Sequence, residues 1–411
     1  MEEIYVCCAG LDVHKESVEA CVRRLQPTGR LHQQTRAWGT MTRDLRAMAD
    51  WMAAQGVTHV AMESTGVYWK PIYNILESRF TVLLVNARHL KQVPGRKSDL
   101  RDCQWIAQLL QHGLLKGSFI PPLAQRELRD LTRHRTQLVE EKGRTVNRLH
   151  KVLEDANIKL ASVASDILGV SGRAMLERLM EGEEDPHKLA DFAQGQLRGK
   201  IPDLQKALEG HLTEHHRFML QLLWKQLAQE EELLTELDAK IEEVTRPFVG
   251  EIERLDAVPG VDRRVAEVVL AEVGGDMKPF PTHQHLTSWA GMCPGNEESA
   301  GKRRRRRIPP GNRWLKRTLV QAAWAASHSK HTYLASQYRR LVGRRGKKRA
   351  LVAVGHSLLV IFYHMLKKRA SYAELGGDFF DRLEPQRLTR YYVKRLEALG
   401  HKVSLQICVA A

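Results

Sequence analysis

The chain has 411 residues, 64 of them Lys or Arg against 48 Asp or Glu, for a formal net charge of +16. That length supplies two or three domains, and a cationic surplus of this size points to a polyanionic partner. Six cysteines without a Cys-x-x-Cys pair exclude a disulfide scaffold and a zinc ribbon and suit a reduced, cytoplasmic setting, associated with the nucleoid; the N-terminus lacks the blocks of a signal peptide.

Residues 1–120 read as α/β, with strands predicted near 4–11, 17–24, 30–37, 57–62 and 81–86. Short turns such as Gln26-Pro27-Thr28-Gly29 join the first three strands, which suits an antiparallel meander. Helices separate the later strands, which suits parallel addition at one edge. Asp12 follows the first apolar run and Glu63 closes the fourth. Ser98 caps a predicted helix that carries Asp99 and Asp102 at i, i+3, on one face. Taken singly, each acid reads as a surface or capping residue. Together, two strand acids facing two helix acids form a negative cluster that divalent cations stabilise, and oxygen-only ligands suit Mg²⁺ or Mn²⁺. A mixed five-stranded sheet carrying acids in this way resembles the ribonuclease H-like fold of the RuvC type.

Pro121-Pro122 ends this part, and 121–250 reads as a helical coiled-coil arm. Leu220, Leu223, Leu227, Leu234, Leu237, Ile241 and Val244 recur at three and four spacing with only Glu230 breaking the seam, a coiled-coil signal silent on whether the partner helix lies in the same chain. Gly169, Gly172, Gly182, Pro186 and Gly195 turn the long helices back on each other. An antiparallel arm that also mediates oligomerisation is the expectation, and an intramolecular bundle the alternative. His211 and His215 are spaced i, i+4 but lack a third ligand, so they read as ordinary histidines.

Residues 251–411 read as a mostly helical C-terminal domain. Pro259-Gly260 before a helical run suggests a helix-hairpin-helix-like element, whose amides hold a DNA phosphate. A loop ending Ser299-Ala300-Gly301 precedes Lys302, Arg303, Arg304, Arg305, Arg306 and Arg307, with Asn312 and Arg313 downstream. Between Glu298 and Glu374 there is no acid and 20 Lys or Arg. A single-sign block of this length points to a phosphate backbone, and interleaved Trp314, Leu319, Trp324 and Leu334 mark a folded surface. The apolar run 350–366, interrupted by Gly355, His356, Ser357 and His364, reads as a buried helix and not a membrane span. A serine hydroxyl can attack a phosphodiester if a base or metal activates it. From local sequence alone, Ser299 reads as a turn-shaping residue or a hydrogen-bond donor to phosphate.

Gly-Leu-Asp-Val-His-Lys around Asp12, Met-Glu-Ser-Thr-Gly at 62–66, Lys-Ser-Asp-Leu-Arg-Asp at 97–102, Pro259-Gly260-Val261, Trp289-Ala290-Gly291, Pro294, Ser299 and Gly311-Asn312-Arg313 occur in an order and spacing that resembles the insertion sequence 110 family of transposases. The resemblance runs to about residue 370. It implies a DEDD metal site at Asp12, Glu63, Asp99 and Asp102, a transposase domain whose serine maps onto Ser299, and an oligomer, a dimer or tetramer, in which carboxylates of one subunit meet the serine of another. It also implies double-stranded DNA as donor and target, and a structured guide RNA. Ala300 stands where the family usually has glycine. Two other classes remain open on the residues: a RuvC-like nuclease or junction resolvase using metal-activated water, and a non-catalytic nucleic-acid binder whose acids are structural.

Overall fold

Five short β-rich runs assemble into one sheet within the first of two compact units, Met1–Pro121 and Pro122–Ala411. The computed structural model describes residues 4–64, 66–86, 102–294, 308 and 310–406, and the backbone of 296–299 and 302–305. Strands β1 (Cys7–Val13), β2 (Ser17–Leu25), β3 (Leu31–Gly39), β4 (His59–Glu63) and β5 (Thr81–Val85) lie in the order β3-β2-β1-β4-β5. The first three are antiparallel, and β4 and β5 join β1 in parallel. Short turns and helical crossovers therefore produce the mixed pairing they predict. The order and the helices on both faces are consistent with a ribonuclease H-like fold.

Alternation decides what each face of the sheet buries. Cys7, Ala9, Leu11 and Val13 of β1 turn to one side, where helices α1 (Thr42–Ala54) and α2 (Trp69–Leu76) supply Leu45, Met48, Met52, Ile72 and Leu76. Cys8, Ala61 and Val85 turn to the other, against Trp105, Ile106, Leu109 and Leu110 of α3 (Asp102–Gln111). Gly10 lies on that second face, where a methyl group would strike the backbone of Cys103 and Ala107. The missing side chain is what lets α3 lie directly on β1.

In the second unit, α4 (Leu123–Asp155) is followed by α5 (Val170–Glu181), α6 (Ile201–Leu208) and α7 (Glu214–Thr245). Helices α4 and α7 run antiparallel: Lys142 pairs with Glu231 at 2.7 Å, Thr145 meets Glu230 at 2.9 Å and Asp155 meets His216 at 3.0 Å. The apolar seam of α7 thus has a partner helix in its own chain. Leu149, Leu153, Leu220, Leu223 and Leu227 continue into a core closed by α5 and α6.

Beyond α7, a helix at Val249–Asp256, a turn and α8 (Arg263–Val273) follow. Asp262 caps α8 by accepting from the Val265 amide at 2.8 Å. Gly260 takes φ +82°, and a methyl there would strike the backbone of Ala322 and Ala326. Helix α9 (His283–Trp289) leads into strands β6 (Asn296–Ser299) and β7 (Lys302–Arg305), then α10 (Arg313–His328), α11 (Tyr333–Arg345) and α12 (Lys347–Lys368). The stretch expected as a loop before the basic run is thus half of a hairpin. Its register pairs Glu297 with Arg304 and Glu298 with Arg303. Helix α12 is long and apolar enough to cross a membrane by composition, yet Leu358, Leu359, Phe362 and Tyr363 are buried in the protein. The Tyr363 hydroxyl donates to the carbonyls of Phe280 and Pro281 at 3.1 and 2.8 Å, so the helix packs as a core element.

Candidate active site

Strand register gathers carboxylates in the first unit. Asp12 sits inside β1 and not after it, because the strand runs on to Val13. Leu11 pairs with Met62 on β4, so Asp12 and Glu63 stand one step further along neighbouring parallel strands. Both share the face that α3 covers, by parity with Cys8, Gly10 and Ala61. Asp102 opens α3, one residue before the cysteine whose backbone Gly10 accommodates. Asp99 lies outside the described residues. Two of the four expected acids thus share one face and a third opens the helix that covers it, and an all-oxygen donor set of this kind suits Mg²⁺ or Mn²⁺. Among the described residues, however, no group of three His, Cys, Asp or Glu side chains is close enough to hold one ion.

Two neighbours escaped the sequence reading. Glu19 of β2 pairs directly with Asp12, so it belongs to the same row of acids. His14 Nε2 lies 3.3 Å from Asp12 Oδ2. The signal for Glu19 was present in the short 14–16 connection, closed by a 2.9 Å bond from the His14 amide to the Ser17 carbonyl, which fixes the register back to Asp12. Cys103 reports the negative character of the face. Burial, then Cys21, Glu19 and Asp12 push its thiol up to about 12, and its Sγ lies 3.9 Å from Glu19 Oε2.

The serine belongs to the second unit. Ser299 ends β6 and pairs with Lys302 at the start of β7, which puts it at the closed end of the hairpin. Lys302, Arg303, Arg304 and Arg305 make up β7, while Arg306 and Arg307 lie outside the described residues. Downstream, Asn312 faces inward. Its Oδ1 accepts from the amides of Trp314 and Leu315 at 3.0 and 3.1 Å, capping α10, and its Nδ2 donates to Glu272 Oε2 at 2.6 Å. The Arg313 guanidinium lies 4.6 Å from the Trp314 ring centroid.

Comparison with known proteins bears on both clusters. Residues 9–158 match a family model for the DEDD transposase of IS110, described as a transposase, and residues 252–339 match the model described as the transposase IS116/IS110/IS902 family. The two matched segments together span more than half of the chain, and the four acids fall in the first and Ser299 in the second. The chain is 23% identical over 294 residues to the transposase for insertion sequence element IS1111A of Coxiella burnetii, covering 70% of this chain and 72% of the relative. It is 34% identical over 124 residues, 29% of each chain, to an uncharacterized 43.6 kDa protein of insertion element IS110 from Streptomyces coelicolor.

The chain belongs to the IS110 family of transposases.

A transposase cuts and joins DNA, which accounts for the cationic surplus and the acid-free stretch of this one. The transposase carries a further cluster that no local motif announces, joining Arg129 and Arg133 of the first matched segment to Glu272 of the second. Glu272 is completely buried, and Arg133 grips it with two bonds of 2.7 Å. Arg129 Nε lies 3.3 Å from Glu272 Oε2 and donates to the Ala271 carbonyl at 2.9 Å. Burial lowers the basicity of Arg129 to about 10 against the pull of Glu272, so it keeps its charge at neutral pH.

Proposed function

We propose that this transposase cuts and rejoins DNA through a covalent phosphoserine link at Ser299, under the direction of a structured guide RNA. The hydroxyl oxygen of Ser299 attacks phosphorus, the bond from phosphorus to the deoxyribose oxygen breaks, and the released sugar hydroxyl takes up a proton. One phosphodiester is exchanged for another, so attack by a new DNA end reverses the step without an external energy source. Asp12, Glu63, Asp99 and Asp102 would hold Mg²⁺, which supplies Lewis acidity to the scissile phosphate when bound. Lys302 and the arginines from Arg303 to Arg307 would neutralise and position phosphates, while base pairing to RNA selects the sequence. Arg313 would extend that cationic track. The matching residues on the acid-bearing face and the serine are expected to come from different subunits of a dimer or tetramer.

The observation that carries this reading is the placement of Ser299 at the closed end of a hairpin whose second strand is wholly cationic. A nucleophile at a tip can enter a duplex groove while the strand behind it meets the backbone. The test incubates purified protein with element-flanking RNA, Mg²⁺ and junction DNA and looks for a denaturant-resistant protein–DNA adduct. The adduct is expected in the native chain and absent in Ser299→Ala. Cleavage without an adduct in either form would instead establish metal-activated water as the nucleophile. Binding without any cleavage would leave a nucleic-acid binder.

A further inference from the structure

The two roots of the serine hairpin meet. Gly311 adopts φ +51°, and a methyl group there would strike the backbone of Ala290 and Gly291, so the outgoing chain crosses the incoming chain at van der Waals range. The incoming root is itself ordered, because the Met292 amide donates to the Thr287 carbonyl at 2.9 Å and Cys293 Sγ lies 3.1 Å from the Thr287 hydroxyl. One step beyond the crossing, Asn312 donates to Glu272. Both arginines that hold Glu272 also lie over tryptophans of the roots: Arg129 over Trp289 at 5.9 Å and Arg133 over Trp314 at 5.8 Å.

We propose that Glu272 is the positioning residue of the serine hairpin: anchored to α4 by Arg129 and Arg133, it fixes Asn312 and thereby the crossed roots that carry β6 and β7. The argument is one of satisfied valence. A fully buried carboxylate is costly unless it is well hydrogen-bonded, and this one has two guanidinium groups and a side-chain amide converging on its oxygens. Helix capping alone would be met by serine, threonine or aspartate at position 312. Only asparagine among the strong cap residues also offers an N–H to Glu272, so the residue present is the one that serves both tasks. Among the described residues, the sheet of the hairpin contains β6 and β7 alone. Its orientation therefore depends on its roots. Because the arginines sit on α4, the same contact ties the hairpin to the long arm helix.

The consequence for chemistry rests on the Ser299 reading, but the positioning itself can be measured without it. Asn312→Ser keeps the cap acceptor and removes the donor to Glu272. Amide hydrogen exchange of 296–305 in the full-length variant is expected to accelerate by about tenfold, the equilibrium equivalent of one hydrogen bond to a charged group. Exchange elsewhere in α10 should stay near the native rate. With saturating DNA and RNA, adduct formation is expected to slow by a similar factor while DNA affinity stays within about twofold. Asn312→Asp keeps the cap and sets a second carboxylate against Glu272, so its exchange should exceed that of the serine variant. Faster hairpin exchange in both variants supports the proposal even if Ser299→Ala still forms an adduct, a result that would remove only the nucleophile assignment. Hairpin exchange within about twofold of native in both variants overturns it.

Discussion

Two glutamates are buried against the same long helix, and they are treated in opposite ways. Glu272, on α8, meets Arg129 and Arg133 near the start of α4 and Asn312 beyond it. Glu230, on α7, meets neutral donors: the Thr145 hydroxyl and the Gln226 amide, each at 2.9 Å from one carboxylate oxygen, with the other oxygen buried and without a partner among the described residues. A buried charge held by charges locks its neighbours in place, since removing either side leaves an uncompensated ion. A buried carboxylate held by neutral groups marks register at a cost in stability. The first belongs where geometry decides chemistry, and the second in a seam that has only to pair correctly.

The largest effect that can break this contrast is Glu272→Ala. It strands two guanidinium groups at a buried site, and a loss of about 3–5 kcal/mol is expected, read as a lowered denaturation midpoint of the second unit. A loss below about 1 kcal/mol would place Glu272 with Glu230 as a dispensable carboxylate. A smaller change comes from Arg133→Met, which keeps an aliphatic stem against Trp314 and leaves Arg129 on Glu272. Arg133 is about one third exposed, so water screens part of its contribution. The expected loss is about 1–2 kcal/mol by the same measurement, and a value matching that of Glu272→Ala would show that Arg129 adds nothing.

What the sequence made legible follows the range of the interactions. The five strands, their mixed pairing and the position of Asp12 and Glu63 near strand ends could be read from alternation and from turn length, because both act within a few residues, whereas the pairing of β1 with β4 that makes the two acids neighbours could not. The leucine seam of α7 was readable for the same reason, though its partner in α4 was not. Glu19 was missed, although the 14–16 connection already fixed its pairing with Asp12. The hairpin was expected as a loop because its strands are polar and cationic, and alternation carries no apolar signal there. Glu272 was invisible in principle: Arg129, Arg133 and Asn312 lie 143, 139 and 40 residues away in sequence. In the sequence Asn312 is simply a polar residue downstream of the basic run, and its contact with Glu272 appears only in the folded geometry. Asp99 lies outside the described residues, so its expected place among the acids remains part of the proposal.

The smallest effect is the one that sharpens the comparison most, because its sign is the opposite of the others. Replacing Glu230 by Leu and Thr145 by Val together removes the partnerless oxygen and its hydroxyl donor and fills the seam with apolar atoms. Both positions are buried, at 7% and 0% exposure, and Leu227 and Ile241 already continue the apolar stripe on either side. Exchanging a buried polar pair for packed hydrophobes is commonly neutral or stabilising, so a gain of about 0–2 kcal/mol in thermal unfolding is expected. What should suffer is specificity: Thr145 faces Glu230 in one antiparallel register alone, and without that pair the α4–α7 helices can slide by a heptad or pair between chains. Light scattering with thermal unfolding tests both halves. A variant that is stable but heterogeneous in mass would assign Glu230 to register, whereas a loss above about 1 kcal/mol would mean that the seam, like the hairpin root, is held by its buried carboxylate.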